Sequence, residues 1–296
     1  MGGRGDAFND AAYRGLERAK KELGVLADSV TPEAGADRDV ALRQFASGPY
    51  DLIVAVGFLS TDDLNRVAKS FPSKHFAGVD YAVTPGKNSP ANVTALEFRE
   101  QEAAFLGGVI AALTSKSKKL GFVGGMDAPQ IRKFAAGFRA GAKWADPKTE
   151  VFAVDVGTEP SAFHDPARGK ALALGLIARG ADVLFHASGA TGAGVFEAAR
   201  ENRALAIGVD SDQYKEAPGF VLTSVTKQVE TAVFDAIKEA QAGRLKGPVE
   251  LGLKESGVDY VYDERNKNLI SPVARAKAEE ARALIISGRL KVPTKD

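Results

Sequence analysis

The chain has 296 residues, enough for two lobes of ordinary size, and its 39 Lys and Arg against 38 Asp and Glu leave no basic excess for a nucleic-acid surface. It has no cysteine, which excludes disulfides, thiolate metal sites and cysteine nucleophiles, and its three histidines, at 75, 164 and 186, fall in no metal-ligand spacing. No apolar run approaches the roughly 20 residues that a membrane-spanning helix needs.

The opening Met1-Gly-Gly-Arg-Gly-Asp reads as a turn, with no basic and apolar leader pattern ahead of it. Phe8–Leu23 reads as an amphipathic helix with Ala11, Leu16, Ala19 and Leu23 as its stripe and Gly24 as its stop. Ala27–Val30 is expected to be a weak edge strand, Asp37–Ala46 a helix, Tyr50–Val56 a buried strand and Gly57–Thr61 a turn. A short helix over Leu64–Phe71 leads to a strand, His75–Val79, that ends at Asp80. Val93–Leu96 is a strand, and Arg99–Leu113 a helix whose Ala103-Ala104 and Gly107-Gly108 suit close packing.

Lys116–Lys119 is a charged turn and the expected first boundary between lobes. The pattern then restarts with a strand, Leu120–Val123, a Gly124-Gly125-Met126 turn and a helix, Pro129–Trp144. Val151–Val156 is a strand and Asp165–Arg179 a helix. Gly180–Asp212 follows as a strand (Asp182–His186), a glycine-rich turn (Ala187–Gly194), a helix (Val195–Glu201) and a strand (Leu205–Val209) with Asp210 at its end. Phe220–Ser224, running on to Lys227, is a strand, Gln228–Ala242 a helix, Val249–Leu253 and Val258–Tyr262 strand-like, and Pro272–Ile286 a terminal helix. Alternating strands and helices are the signature of parallel α/β sheets, in which ligands sit at the carboxyl ends of strands. The glycine turn and Asp210 both fall there. GATGAG at Gly189–Gly194 lacks the lysine of a phosphate-binding loop.

Several motifs occur together and in order: FND at Phe8–Asp10, GVD at Gly78–Asp80, FVGGMDAPQIRKFAAGFRAGA at Phe122–Ala142, HASGATGAGVFEAA at His186–Ala199, GVDSDQ at Gly208–Gln213 and LTSVTK at Leu222–Lys227. In these the chain resembles the basic membrane protein family of ABC-transporter substrate-binding lipoproteins, the PnrA-like purine nucleoside receptors. The resemblance implies a type I periplasmic-binding-protein fold: two doubly wound parallel-sheet α/β lobes joined by three crossovers around a ligand cleft. The lobes are expected at 1–115 plus about 228–255 and at 116–227 plus about 256–296. It implies a monomer at the periplasmic or extracellular face, a permease and an ATPase as partners, and a lipid anchor on an upstream cysteine. No cofactor, metal, nucleic-acid partner or catalytic residue is expected.

Carried over residue by residue, the resemblance implies that Phe8 and Phe163 are aromatic ligand contacts. It implies that Asn9 and Asp80 are polar contacts, that Gly189 is the glycine of the HASG turn, that Asp210 holds ribose and that Lys227 is a donor. Bases stack on aromatic rings, and an ionised carboxylate accepts two hydroxyl bonds from a ribose diol. Met126 is a candidate soft contact to the base. The bland alternatives are core packing for the two phenylalanines and Met126, capping for Asn9 and Asp80, and a solvated surface amine for Lys227. His164 and His186 read as structural.

Two departures from the family pattern stand out. The family reads GDxSFN where this chain has GDAFN, which shifts the register of Asp6, and its first strand, ending in an aspartate, has no counterpart ahead of the GGRGD turn. Two other readings use the same residues: a nucleoside-sensing effector domain, and a nucleoside hydrolase or phosphorylase. Against the enzyme, no aspartate cluster such as DxDxxxDD lies near the N-terminus.

Overall fold

The alternation of short apolar runs with period-3.6 segments becomes, in the computed structural model, alternating strands and helices. The structure describes residues 7–32, 35–82 and 89–295; the Gly2–Asp6 turn and the register of Asp6 lie outside them. In chain order the regular elements are α1 (Ala7–Leu23), α2 (Gly35–Ser47), β1 (Leu52–Val56), α3 (Thr61–Ser70), β2 (His75–Val79), β3 (Val93–Phe98) and α4 (Glu100–Thr114). They continue with β4 (Lys119–Met126), α5 (Pro129–Ala145), β5 (Glu150–Gly157), α6 (Pro166–Ala178), β6 (Val183–Ala187) and α7 (Gly192–Glu201). The remainder are β7 (Leu205–Asp210), β8 (Val221–Lys227), α8 (Val229–Gln241), β9 (Val249–Leu251), β10 (Val258–Tyr260) and α9 (Pro272–Ile286).

The described residues divide into two units, one comprising those up to Phe98 together with Gln228–Leu251, the other Arg99–Lys227 and those from Gly252 on. In the first, a parallel sheet runs β1-β2-β3-β9. Its core gathers Leu42, Ile53, Leu64, Val67, Phe76 and Tyr81. Helices α1 and α8 pack together because α1 presents small residues: Ala11, Ala12, Gly15 and Ala19 are buried, and a β-carbon on Gly15 would collide with the Glu230 carbonyl. Leu16 and Leu23, expected in that stripe, are only half-buried. The rim is closed by Arg18, whose guanidinium stands 3.9 Å over the Phe234 ring, and by an Arg14–Glu230 ion pair at 3.0 Å.

In the second unit the sheet order is β10-β8-β7-β6-β4-β5, parallel throughout except for the antiparallel edge strand β10. Phe122, Phe134, Phe138 and Phe185 meet on one face at centroid distances of 5.1–6.0 Å, in edge-on and tilted contacts. Each such fully buried ring is worth roughly 1.5–3 kcal/mol of transfer free energy.

Four expectations are corrected. First, α4 belongs to the second unit, so the boundary falls after Phe98 rather than near residue 115. Small residues on α4 and α5 let the helices touch backbone to backbone: a β-carbon on Gly108 would strike the Phe138 carbonyl, and one on Gly141 the Phe105 carbonyl. Second, the Lys116–Lys119 turn is therefore internal to that unit. Asp182 clasps it, accepting from the Lys116 and Ser117 amides at 2.7 and 2.9 Å and from Ser115 Oγ at 2.5 Å. Third, Gly124-Gly125-Met126 is not a turn but the last part of β4, with Met126 paired to Gly157. Neighbours occupy the space of the missing side chains, the Phe163 ring over Gly125 and Ile131 and Asp155 beside Gly124. Fourth, Ala27–Val30 forms no strand; Leu26 and Val30 are 98% and 55% exposed, so nothing apolar holds the segment against a sheet.

Candidate functional site

Each unit carries part of the candidate set at the carboxyl ends of its strands. In the first, Phe8 and Asn9 lie in the first turn of α1; Phe8 is buried and Asn9 half-buried. Asn9 is the third helical residue, inside the turn rather than at the cap. Asp80 follows β2 directly, 6% exposed, with a left-handed backbone (φ 55°). Its amide donates to the Leu96 carbonyl at 3.0 Å, which extends the β2–β3 ladder by one bond. The corner is backed mainly by an aromatic: Tyr81 folds over Gly78, where a β-carbon would lie 2.7 Å from the ring, and its hydroxyl donates to Asn65 Oδ1. The Ala82 amide donates to Thr61 Oγ1 at 3.0 Å. Tyr81 and Ala82 are not helical, so Asp80 caps no helix among the described residues.

In the second unit Asp210 ends β7, again left-handed, with φ 65°. For an L-residue that conformation costs about 1–2 kcal/mol, less for aspartate, whose short polar side chain bonds locally. Lys227 ends the adjacent β8, and its Nζ stands 3.6 Å from Asp210 Oδ1. The lysine side chain is 2% exposed and the aspartate 17%. The solvated-amine reading of Lys227 is therefore wrong: the ammonium is buried, with the Asp210 carboxylate beside it and the centroid of the Phe134 ring 5.6 Å away.

Phe163 closes a single-turn helix, Pro160–Phe163, and is 4% exposed with its ring against Gly125. Gly189, with φ 57°, opens the short turn Gly189–Thr191 that leads into α7. Thr191 ties the two segments together, donating from Oγ1 to the Ala162 carbonyl at 2.7 Å and accepting the Asp165 amide at 2.8 Å. Met126 is half-buried at the end of β4. Within this unit the structure thus brings Asp210 to Lys227, and Phe163 to the strand that ends in Met126.

Gln213, which sequence reasoning passed over, and His186, which it read as structural, lie behind Asp210. Gln213, the last residue of the GVDSDQ motif, accepts the Val209 amide on Oε1 at 2.7 Å and meets His186 Nε2 at 3.1 Å. His186 is completely buried, and burial holds its pKa down to about 4, so the ring is neutral at pH 7. Its position in the apolar DVLFHA run was the available signal. The described residues contain no group of three or more His, Asp or Glu side chains placed to hold a metal ion, and no helix long and apolar enough to cross a membrane.

Comparison with known proteins gives consistent results. A family model described as an ABC transporter substrate-binding protein, PnrA-like, matches residues 2–296. An uncharacterized lipoprotein of Pyrococcus horikoshii is 43% identical over 272 residues, which cover 88% of this chain and 66% of that protein, so the chain spans just under two thirds of this relative's length. A Lactococcus lactis protein named as the ABC transporter nucleoside-binding protein BmpA is 32% identical over 98% of this chain and 85% of its own. The crystal structure of an ABC transporter solute-binding protein from Aeropyrum pernix superposes with a TM-score of 0.90 at 33% identity, covering 100% of this chain and 92% of that one.

Proposed function

The chain belongs to the PnrA-like family of ABC transporter substrate-binding proteins and has the type I periplasmic-binding-protein fold, and on that premise we propose that it binds a purine nucleoside for import, without catalysis. The observation that carries the reading is the pair of left-handed aspartates. Asp80 and Asp210 each end a parallel strand, where ligands bind in such sheets, and each holds a backbone conformation that few residues other than glycine adopt. Strain of this kind persists where a side chain must be aimed.

In this reading Asp210 accepts the two ribose hydroxyls while Lys227, held beside it, balances its charge and donates to the ligand. Asn9 and Asp80 read the edge of the base, Phe8 and Phe163 stack on its faces, Gly189 admits close backbone approach and Met126 supplies a polarisable contact. Residues of both units acting on one ligand couple binding to hinge closure, the form that a permease and its ATPase recognise. The protein works at the outer face of the cell membrane through a lipid anchor; the Pyrococcus relative is itself named a lipoprotein.

Calorimetric titration of the ligand-stripped protein with inosine, guanosine, adenosine, cytidine and ribose tests this. Micromolar or tighter binding of purine nucleosides, silence with ribose and no free base on prolonged incubation are expected. Silence with all five overturns the nucleoside assignment, and released base overturns the absence of catalysis.

A further inference from the structure

We propose that Gln213 is the positioning residue of the candidate site, gathering His186, Val209 and Ser224 so that Asp210 is presented in its left-handed conformation; the consequence for ligand binding rests on the nucleoside reading above. After Asp210 the chain folds back within three residues, and Gln213 returns beneath the turn. Its Oε1 accepts the Val209 amide at 2.7 Å and lies 3.1 Å from His186 Nε2, while its backbone N–H donates to Ser224 Oγ at 3.0 Å. These three partners come from β7, β6 and β8 in turn, so the side chain and the backbone amide of one residue stitch three neighbouring strands together.

The chemistry sets the protonation state. An amide oxygen only accepts, so the imidazole nitrogen facing it carries the hydrogen, and Nδ1 is left as the acceptor towards Ser188 Oγ at 3.4 Å. The ring is fixed in place, packed edge-on to Phe196 at 5.1 Å and against Gly192, where a β-carbon would collide with it. The fit is equally close on the other side: a β-carbon on Gly208 would lie 2.5 Å from Ser224 Oγ and 2.9 Å from Gln213 Cβ. A turn that only reversed the chain would not need a matched network of buried polar groups reaching across three strands. The network acts on the one residue of the turn whose backbone is left-handed. On the outer side Arg265 makes exposed pairs with Asp212 and Asp263.

The test compares Gln213→Met, which keeps the length of the side chain but has no acceptor oxygen, with Gln213→Glu, which keeps the acceptor. Inosine affinity is measured by calorimetry and amide exchange at Val209 in the ligand-free protein. Gln213→Met should weaken inosine binding by about tenfold and raise exchange at Val209, and Gln213→Glu should restore both towards wild type. Wild-type exchange and affinity in Gln213→Met, or a Gln213→Glu protein as impaired as Gln213→Met, overturns the proposal. If Gln213→Met does not fold, Ser224→Ala decides: it removes only the acceptor of the Gln213 amide, and unchanged exchange across 209–213 overturns the proposal. If wild type binds no nucleoside, the ligand assignment fails on its own, and the exchange measurements still decide whether Gln213 pins the turn.

Discussion

The tripeptide Gly-Val-Asp ends a parallel strand in each unit, at Gly78–Asp80 and at Gly208–Asp210, and the two corners are built differently. Both aspartates are left-handed and both glycines are closed off by a neighbouring side chain. At Asp80 the filler is the Tyr81 ring with Leu64 behind it, and the anchors are Asn65 and Thr61 on α3. At Asp210 the filler is Gln213 with Ser224, and the anchor is a neutral buried histidine. The same backbone geometry is therefore reached by aromatic packing in one place and by a matched polar network in the other. The first fills its space mainly with an aromatic ring, tied by one side-chain and one backbone hydrogen bond to α3. The second is directional, because each hydrogen bond requires its own alignment and protonation state.

The largest expected effect separates the corners by pH. His186 has a folded pKa of about 4 against an ordinary 6.5, so between those values the unfolded chain binds a proton that the folded chain does not. Its contribution to stability is complete above pH 6.5 and lost as pH falls towards 4. Denaturant titrations at pH 7.5 and pH 4.5 should differ by about 2–3 kcal/mol from this group, and His186→Asn should remove that part of the slope. A slope unchanged by the substitution would mean that the acid sensitivity lies elsewhere.

Next in size is ligand affinity. Asp210→Ala and Asp80→Ala should each weaken purine nucleoside binding by about 1–3 kcal/mol, read by calorimetry. If only Asp210→Ala does so, the aromatic corner is a structural turn and the polar corner alone meets ligand. A smaller difference checks the strain at each corner. Asp80→Gly and Asp210→Gly should each be about 1 kcal/mol more stable than the matching alanine variant, because glycine has no β-carbon to oppose a left-handed backbone. The smallest effect is expected at the outer latch. Arg265→Ala removes exposed ion pairs to Asp212 and Asp263, and the denaturation midpoint at physiological salt should not move measurably.

Much of the fold was legible along the chain. The helix over Phe8–Leu23, the strands at His75–Val79 and Leu205–Val209 and the helix expected over Asp165–Arg179 follow from local periodicity and turn chemistry, and the structure reproduces them, the last as Pro166–Ala178 with Asp165 as its cap. What failed depended on distant partners. The helix α4 was readable as a helix, but its unit was decided by which glycines met which carbonyls on α5. Gly124 and Gly125 carried a turn signal, yet they lie in a strand because the Phe163 ring and its neighbours occupy their side-chain space. The surface alternative to Lys227 as a site donor fell for the same kind of reason, since the side chain is buried beside Asp210.

By itself, then, the sequence determined the class of fold, the alternation of strands and helices, the family resemblance and the strand ends on which the candidate residues stand. Hydrophobic period, glycine and proline punctuation and ordered motifs are properties of neighbours in the chain. Only the tertiary structure decided that Asp80 and Asp210 adopt a left-handed backbone, that Lys227 is drawn under Asp210, and that Gln213, His186 and Ser224 join three strands beneath one turn. Those outcomes depend on long-range complementarity: a buried polar group must find its partner wherever in the chain that partner lies, and local pattern carries no record of the match.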